Sequence, residues 1–196
     1  MADQDGNKVP RERLDALTDG VFAFAMTLLV LNLELPDDFS PTSAAELLGA
    51  LGDLRSGFFS YVISFVVLAV FWYGQASNRN RPEAAGGAHF WAVLALLFFT
   101  TVLPFSTHVV GRYGLAPAVW LYAANMVLLS VSALARANIA EKETGEVRSR
   151  SGRGDLFLLM ASALLSVVIS FFSAEHAMFA YLLNFAKPLV NKRVRG

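Results

Sequence analysis

The sequence predicts an all-α integral membrane protein with six transmembrane helices per subunit, and three observations support this. Hydrophobic residues make up 55% of the 196 positions and charged residues only 16%, whereas soluble domains carry about 25% charged residues. The mean hydropathy is +0.49. Six stretches contain no Asp, Glu, Lys or Arg, namely 20–33, 56–78, 84–111, 113–135, 156–174 and 176–186. Much of the chain is therefore expected to contact lipid or other apolar helices.

The lengths of these stretches predict where each span lies. A bilayer core of about 30 Å takes about 20 residues of α-helix, so the middle four stretches suffice alone, while the first and last must include flanking charged residues. Residues 1–19 contain no apolar core of a signal peptide, so the first span is expected to be retained. The expected spans form a single membrane domain over 1–196 and cover about 14–34, 56–78, 88–110, 114–135, 156–174 and 176–191.

The distribution of Lys and Arg predicts the orientation of the spans. The N-terminal arm carries three, the second connection two, the fourth connection five and the C-terminal tail four, which places fourteen on one side. The other side carries only Arg55 and Arg112. By the positive-inside rule, both termini are expected in the cytoplasm, with the protein in the cell (inner or plasma) membrane. The same distribution supports the weak sixth span, because a chain with only five spans would place its basic C-terminal tail outside.

Two connections differ in character. In the outer segment 34–55, Ser43 followed by Glu46 is a helix-start signal before leucines at 47, 48, 51 and 54, which predicts a short amphipathic helix. The cytoplasmic segment 136–155 is expected to be a linker, since its part 141–154 is polar and contains glycines.

Composition and motifs argue against an enzyme. The chain has no cysteine, and its sixteen basic residues balance sixteen acidic ones, which excludes thiol catalysis and gives no global field for nucleic acid. His89, His108 and His176 lie far apart near the ends of spans, so we expect no metal and no cofactor. No catalytic or nucleotide-binding motif is present. The central four spans hold no carboxylate, which weakens a transporter interpretation.

The first span carries a candidate functional stripe and one acidic residue. At 100° per residue, six side chains fall within about 80° of one another: Arg13, Leu17, Gly20, Phe24, Thr27 and Leu31. By default such a stripe contacts lipid or another helix. Asp19 lies about 100° from Gly20, so it should face neighbouring helices. Thr18 or Asp19 is either a helix cap at the interface or part of a buried, hydrogen-bonded anchor for this span.

Residues 13–36 resemble the first span of the bacterial TMEM175-type potassium channels (the DUF1211 family), whose signature is R-x3-F-S-D before an apolar pore-lining helix. The signature here consists of Arg13, Leu17, Thr18 and Asp19. FWYGQ at 71–75 and LPFST at 103–107 are similar to that family's second and third spans. A histidine pair common in the second span is replaced by Gly74 and Gln75.

The resemblance implies a homotetramer in which four copies of the first helix line a central pore in the lipid bilayer. It implies passive K⁺ conduction with K⁺ as the permeant ion and no cofactor. Phe24 would form a hydrophobic gate, and Thr27, Leu28 and Leu31 would continue the lining. The family more often has Ile or Leu where this chain has Phe24. The alternatives from other classes are a small secondary transporter and a non-conducting membrane scaffold.

Two further groups of residues fit a channel. Glu34, Asp37 and Asp38 follow the first span, so four copies would form an acidic outer mouth that concentrates monovalent cations. The alternative is an ordinary hydrophilic loop. The cytoplasmic ends of the first three spans should lie at one depth, which makes four side chains possible partners of Thr18 and Asp19: Trp72, Asn78, Arg79 and His89.

Overall fold

The computed structural model of the chain describes residues 9–77, 84–145 and 150–184. Helices dominate this part of the chain, and one pairing of two short strands accompanies them. The elements in chain order are β1 (Val9–Pro10), α1 (Arg11–Leu29) continued by a 3₁₀ turn (Val30–Asn32), α2 (Ala44–Asp53), α3 (Arg55–Ala76), β2 (Ala84–Ala85), α4 (Gly87–Tyr113), α5 (Ala116–Thr144), α6 (Arg150–Ser170), α7 (Ala174–Ala177) and a second 3₁₀ turn (Met178–Leu182).

Five of the helices are long and apolar enough to cross a membrane, which makes the protein a multi-pass membrane protein. They are α1 with its 3₁₀ turn, α3, α4, α5 and the part of α6 from Arg153 to Ser170. The predicted sixth span, 176–191, begins in α7 and the 3₁₀ turn after it. Its last part, 185–191, lies outside the described residues, so the sixth span stays a prediction.

Helix α4 lies at the centre of the bundle and packs against α1, α3 and α5, while α6 packs on the far side of α5. The turn from α4 to α5 passes through Gly114 at φ +55°, a left-handed conformation that glycine adopts without strain. Pro117 lies in the first turn of α5, where its missing N–H has no helical partner to lose. The short connection makes α4 and α5 antiparallel neighbours.

A layer of polar side chains lies inside this apolar bundle. The Thr107 hydroxyl donates to Ser64 Oγ at 2.8 Å, and Ser64 Oγ and the Tyr122 hydroxyl lie 2.9 Å apart. The Asn125 amide donates to Ser106 Oγ at 3.3 Å. All five side chains are buried, and buried hydroxyl and amide groups need such partners because neither lipid nor packed protein supplies water. The layer joins α3, α4 and α5.

Helix α5 corrects the predicted linker. The segment 136–155 is predicted to be a linker, but its first part belongs to α5, which continues through Thr144 and ends at Gly145 with φ +73°. Arg136, Ala137 and Ala140 lie on a buried face of this extension. Arg153 of α6 also donates to Glu141 and Asn138 across the gap between the helices.

The predicted amphipathic helix of the outer segment is confirmed as α2. Ser43 is its N-cap, and its hydroxyl accepts from the Glu46 backbone N–H at 3.2 Å. The Glu46 carboxylate accepts from the Thr42 backbone N–H at 2.7 Å and from the Thr42 hydroxyl. These hydrogen bonds favour the ionised form, so they lower the pKa of the Glu46 carboxyl, the Thr42 N–H having the largest effect.

Candidate functional site

Helix α1 has one buried face and one exposed face. The buried face consists of Leu14, Thr18, Phe22, Ala25 and Leu29. The six residues that helical periodicity groups together are all exposed, namely Arg13, Leu17, Gly20, Phe24, Thr27 and Leu31, and so are neighbours such as Ala16, Asp19, Ala23 and Val30. Phe24 is 65% exposed and Leu31 64%. Within one subunit this stripe has no cover, so it is available to a pore, to another subunit or to lipid.

Thr27 and Leu28 occupy different positions relative to this stripe. Thr27 is exposed, and its hydroxyl donates to the Phe24 carbonyl one turn earlier at 2.8 Å. Because the hydroxyl proton is used within the helix, the lone pairs of Thr27 Oγ1 remain for an outside partner such as a cation. Leu28 is half-buried, so it lies at the edge of the stripe and not at its centre.

A shallow open groove runs along the same face, between α1 and α4. It has a volume of about 420 Å³ and is lined by Ala16, Leu17, Gly20, Val21, Phe24 and Thr101. A Cβ atom added at Gly20 would meet nothing within 4 Å, so the groove is open at this glycine. The lining is almost entirely apolar, which suits a hydrocarbon or helix surface and offers no cluster of groups for catalysis.

Asp19 and Thr18 lie in the interior of α1, which begins at Arg11, so the helix-cap interpretation of these residues is wrong. The Trp72 indole N–H of α3 donates to Asp19 Oδ1 at 2.9 Å. Thr18 is buried, and its hydroxyl donates to the Leu14 carbonyl at 2.8 Å. Asp19 is exposed to the surroundings of the subunit, so the hydrogen bond to Trp72 joins α1 to α3 at the surface of the bundle. Arg13 is also exposed.

The other possible partners of Asp19 have different positions. His89 is buried, and its Nδ1 lies 3.6 Å from a carboxylate oxygen of Glu143. The structure thus brings His89 of α4 to the end of α5, since these two helices pack against each other. Asn78 and Arg79 lie outside the described residues.

The C-terminal end of α1 has a polar contact that sequence reasoning missed. The Asn32 amide donates to the main-chain carbonyl of Pro104 in α4 at 3.2 Å. A Cβ atom at Gly57 of α3 would lie 3.9 Å from the Asn32 carbonyl, and one at Gly111 of α4 would lie 3.0 Å from Gly57 Cα. The end of α1, the start of α3 and the end of α4 therefore converge closely. The sequence gives no sign of this contact, because the acceptor is a main-chain carbonyl and no second polar side chain marks the pair.

The acidic residues after α1 are all exposed, namely Glu34, Asp37 and Asp38. Among the residues that the structure describes, no group of three or more His, Asp or Glu side chains could hold a metal ion. The features that remain for function are thus a helix with an uncovered apolar stripe, one exposed threonine hydroxyl in that stripe and an acidic segment beyond its end. Together with five helices of spanning length, they define a multi-pass helical membrane protein whose first helix is only partly packed.

Comparison with known proteins finds similarity to one family of channels. Residues 13–104 match the sequence profile of the family described as endosomal/lysosomal potassium channel TMEM175. A protein of Chryseobacterium sp. named a potassium channel is 27% identical over 135 residues, which are 68% of this chain and 67% of that protein. Another potassium channel, from Streptomyces collinus, is 30% identical over 101 residues, or 52% of this chain and 48% of that protein.

Solved structures agree on the fold. A crystal structure of a lysosomal potassium-selective channel TMEM175 homologue from Chamaesiphon minutus superposes with a TM-score of 0.76 at 23% identity, covering 91% of this chain and 96% of that one. A variant of the potassium channel MtTMEM175 superposes with a TM-score of 0.58 at 18% identity, covering 99% of each chain. In sequence and in fold the chain is thus similar to bacterial TMEM175-type potassium channels.

Proposed function

We propose that the protein is a subunit of a homotetrameric, potassium-permeable channel in which four copies of α1 surround the pore. The observation that carries this proposal is the exposed stripe of α1, with Phe24 65% exposed in a helix whose opposite face is packed. The names of the related channels and the shared fold support the choice of K⁺ as the permeant ion.

Phe24 is the proposed hydrophobic gate. A ring of four apolar side chains offers a potassium ion nothing to replace its hydration shell, so water leaves the constriction when the rings approach and conduction stops. A modest outward displacement of the helices restores a wet path. Within the subunit the Phe24 side chain is largely free of its own bundle, so it can move without disturbing the core.

The residues beyond Phe24 would handle a partly dehydrated ion. Thr27 Oγ1 keeps its lone pairs free, because its proton is donated to the Phe24 carbonyl. Four such oxygens would be the first ligands past the gate and would influence the choice between K⁺ and Na⁺. Leu31 and the half-buried Leu28 would complete an apolar wall.

The exposed carboxylates Glu34, Asp37 and Asp38 would form the outer mouth. Twelve negative charges around one axis would raise the local concentration of monovalent cations, an effect that falls with ionic strength. Arg13, Leu17, Thr18 and Asp19 would hold the inner half of α1, and the contact between Asp19 and Trp72 supports an anchoring function.

The proposed orientation places both termini in the cytoplasm and the protein in the cell membrane. Since the chain has no cysteine, Ser40→Cys and Lys142→Cys can be labelled selectively in whole cells and in inverted vesicles. An impermeant maleimide should reach position 40 only from outside and position 142 only from inside. Labelling of both from the same side would contradict this orientation.

Recording of the purified protein in planar bilayers with asymmetric KCl and NaCl tests the channel proposal. A channel gives unitary openings, a transporter gives saturable flux without resolved openings, and a scaffold gives neither. Phe24→Ala should raise leak current and open probability, while Thr27→Val should mainly alter the K⁺ to Na⁺ permeability ratio. A stable tetramer with unchanged current from Phe24→Ala would remove this residue as the gate.

A further inference from the structure

We propose that Asn32 is a positioning residue of the pore: its hydrogen bond to the Pro104 carbonyl holds the outer end of α1 against α4 and so keeps the outer half of the pore open. The hydrogen bond between α1 and α4 concerns the subunit alone, whereas its effect on the pore rests on the proposed channel function.

The hydrogen bond from Asn32 to Pro104 joins the end of α1 to α4, and we call this contact the clamp. Asn32 is the last residue of the 3₁₀ turn that ends α1, and its amide Nδ2 lies 3.2 Å from the carbonyl oxygen of Pro104. A main-chain carbonyl has two lone pairs, so it can accept from Asn32 in addition to a helical N–H. Pro104 is buried in the middle of the long central helix α4, which makes the acceptor a rigid reference point.

The direction of this hydrogen bond determines its effect. Leu31 points to the exposed face and is 64% exposed, whereas Asn32 is half-buried and points back to α4. The bond therefore restrains the outer end of α1 on the side away from the proposed pore axis. Without it, the last turn of α1 is free to move toward that axis, and the ring formed by Leu31 would narrow.

Apolar packing also holds this end of α1, since Leu29 is fully buried and Leu33 Cδ2 lies 3.5 Å from the position of a Cβ atom at Gly57 of α3. The segment after Asn32 continues into exposed residues, from Glu34 onward through Pro36 and Asp38. The Asn32 amide is the one polar side-chain contact between the 3₁₀ turn and α4 that the described residues record.

The test uses Asn32→Ala, Asn32→Asp and, as a matched control, Asn138→Asp. Asn138 is an exposed residue of α5 whose oxygen accepts from Arg153, and an Asp there can still accept. Hydrogen exchange of peptides covering 28–35 should be faster by about fivefold to tenfold in both Asn32 variants, the population change that corresponds to one lost hydrogen bond. The control should exchange like the wild type. This measurement needs no conduction.

Asn32→Asp adds a readout that a general loss of packing would not produce. Its carboxylate repels the Pro104 carbonyl at neutral pH, whereas its protonated form donates an O–H and restores the bond at low pH. Proximity to a carbonyl and partial burial raise the pKa of such a carboxyl. The unitary K⁺ current of Asn32→Asp should be reduced at pH 7 and should approach that of the wild type as pH falls toward about 4. Asn32→Ala should show no such recovery.

Other titratable groups near this end are Glu34 in the segment after the 3₁₀ turn, His108 on α4 and Arg55 on α3. They are present in every variant, so the current of Asn32→Asp is compared with those of Asn32→Ala and the wild type at each pH. Unchanged exchange at 28–35 in both Asn32 variants overturns the inference whatever the current. Faster exchange with unchanged unitary current, or without recovery at low pH, overturns its pore consequence. Faster exchange with no current in any protein, the wild type included, confirms the clamp and contradicts the proposed channel function instead.

Discussion

Helices α1 and α5 have nearly equal mean hydropathy in their most apolar windows, 1.8 and 1.7, but 28% of the α1 window and 56% of the α5 window is buried in the subunit. Helix α5 packs against α4 on one side and α6 on another, whereas α1 packs against α3 and α4 and leaves one stripe uncovered. Hydropathy measures compatibility with lipid, and it does not distinguish a helix surrounded by protein from one that faces an axis.

Helices α1 and α5 also differ in where their polar residues lie. On α5, Tyr122, Asn125 and Ser130 are buried and participate in hydrogen bonds within the bundle. On α1, the exposed stripe is largely apolar, with Thr27 as its uncharged hydroxyl position. A helix that carries polar groups inward and apolar groups outward is typical of lipid-facing packing, while a partly packed helix with one hydroxyl in an apolar stripe suits a dewetting pore.

The largest expected effect comes from two phenylalanines two residues apart on α1. Phe22 is fully buried and Phe24 is 65% exposed. Phe22→Ala should cost about 3–5 kcal/mol of unfolding free energy, because it leaves a cavity between α1 and its neighbours. Phe24→Ala should cost less than about 1 kcal/mol while raising leak current. Unfolding in mixed detergent micelles, followed by circular dichroism, measures both variants, and equal destabilisation would erase the distinction between the faces.

A smaller effect is expected at the inner half of α1. Asp19→Ala removes the acceptor of the Trp72 indole N–H and should cost about 1–3 kcal/mol and reduce tetramer yield on size exclusion. Trp72→Phe removes only the donor and should have a similar effect. Asp19→Asn with wild-type assembly but altered ion selectivity would instead place this carboxylate in the permeation path.

The matching test on α5 removes one hydroxyl from the core. Tyr122→Phe keeps the edge contact with the Tyr181 ring, whose centroid is 5.2 Å away, and loses the hydrogen bond with Ser64. We expect a loss of about 0.5–1.5 kcal/mol in unfolding free energy, since Ser64 keeps its hydrogen bond from Thr107. Current and selectivity should not change, and an altered permeability ratio would show that α5 also contributes to the pore.

The smallest effect is expected outside both helices, at the start of α2. The lowered pKa of Glu46 means that its capping contribution is present above the usual value of 4.5 and is lost as pH falls through the lowered value. Hydrogen exchange of α2 should therefore increase only in acid, and Glu46→Gln should remove this dependence. The wild-type current should not follow the same titration. A matching acid change in current would mean that α2 acts on the pore.

Much of the architecture could be predicted because it depends on local patterns. Charge-free stretches located the five described spans, and the spacing of Ser43 and Glu46 located the start of α2. The exposed stripe of α1 followed from 3.6-residue periodicity, which holds for any helix with one packed face. The start of the predicted linker was placed too early, since Arg136, Ala137 and Ala140 are buried in α5 by neighbours that are distant in sequence.

The sequence by itself therefore determined the five described helices that are long and apolar enough to cross a membrane, where α2 begins and which α1 residues share a face, because each of these depends on side chains a few positions apart. Only the tertiary structure decided that Trp72 meets Asp19, that His89 lies by Glu143 and that Asn32 reaches the Pro104 carbonyl. These contacts join residues 53, 54 and 72 positions apart. Such pairs form when helices pack at a particular rotation and depth, and that geometry is set by the fit of whole surfaces.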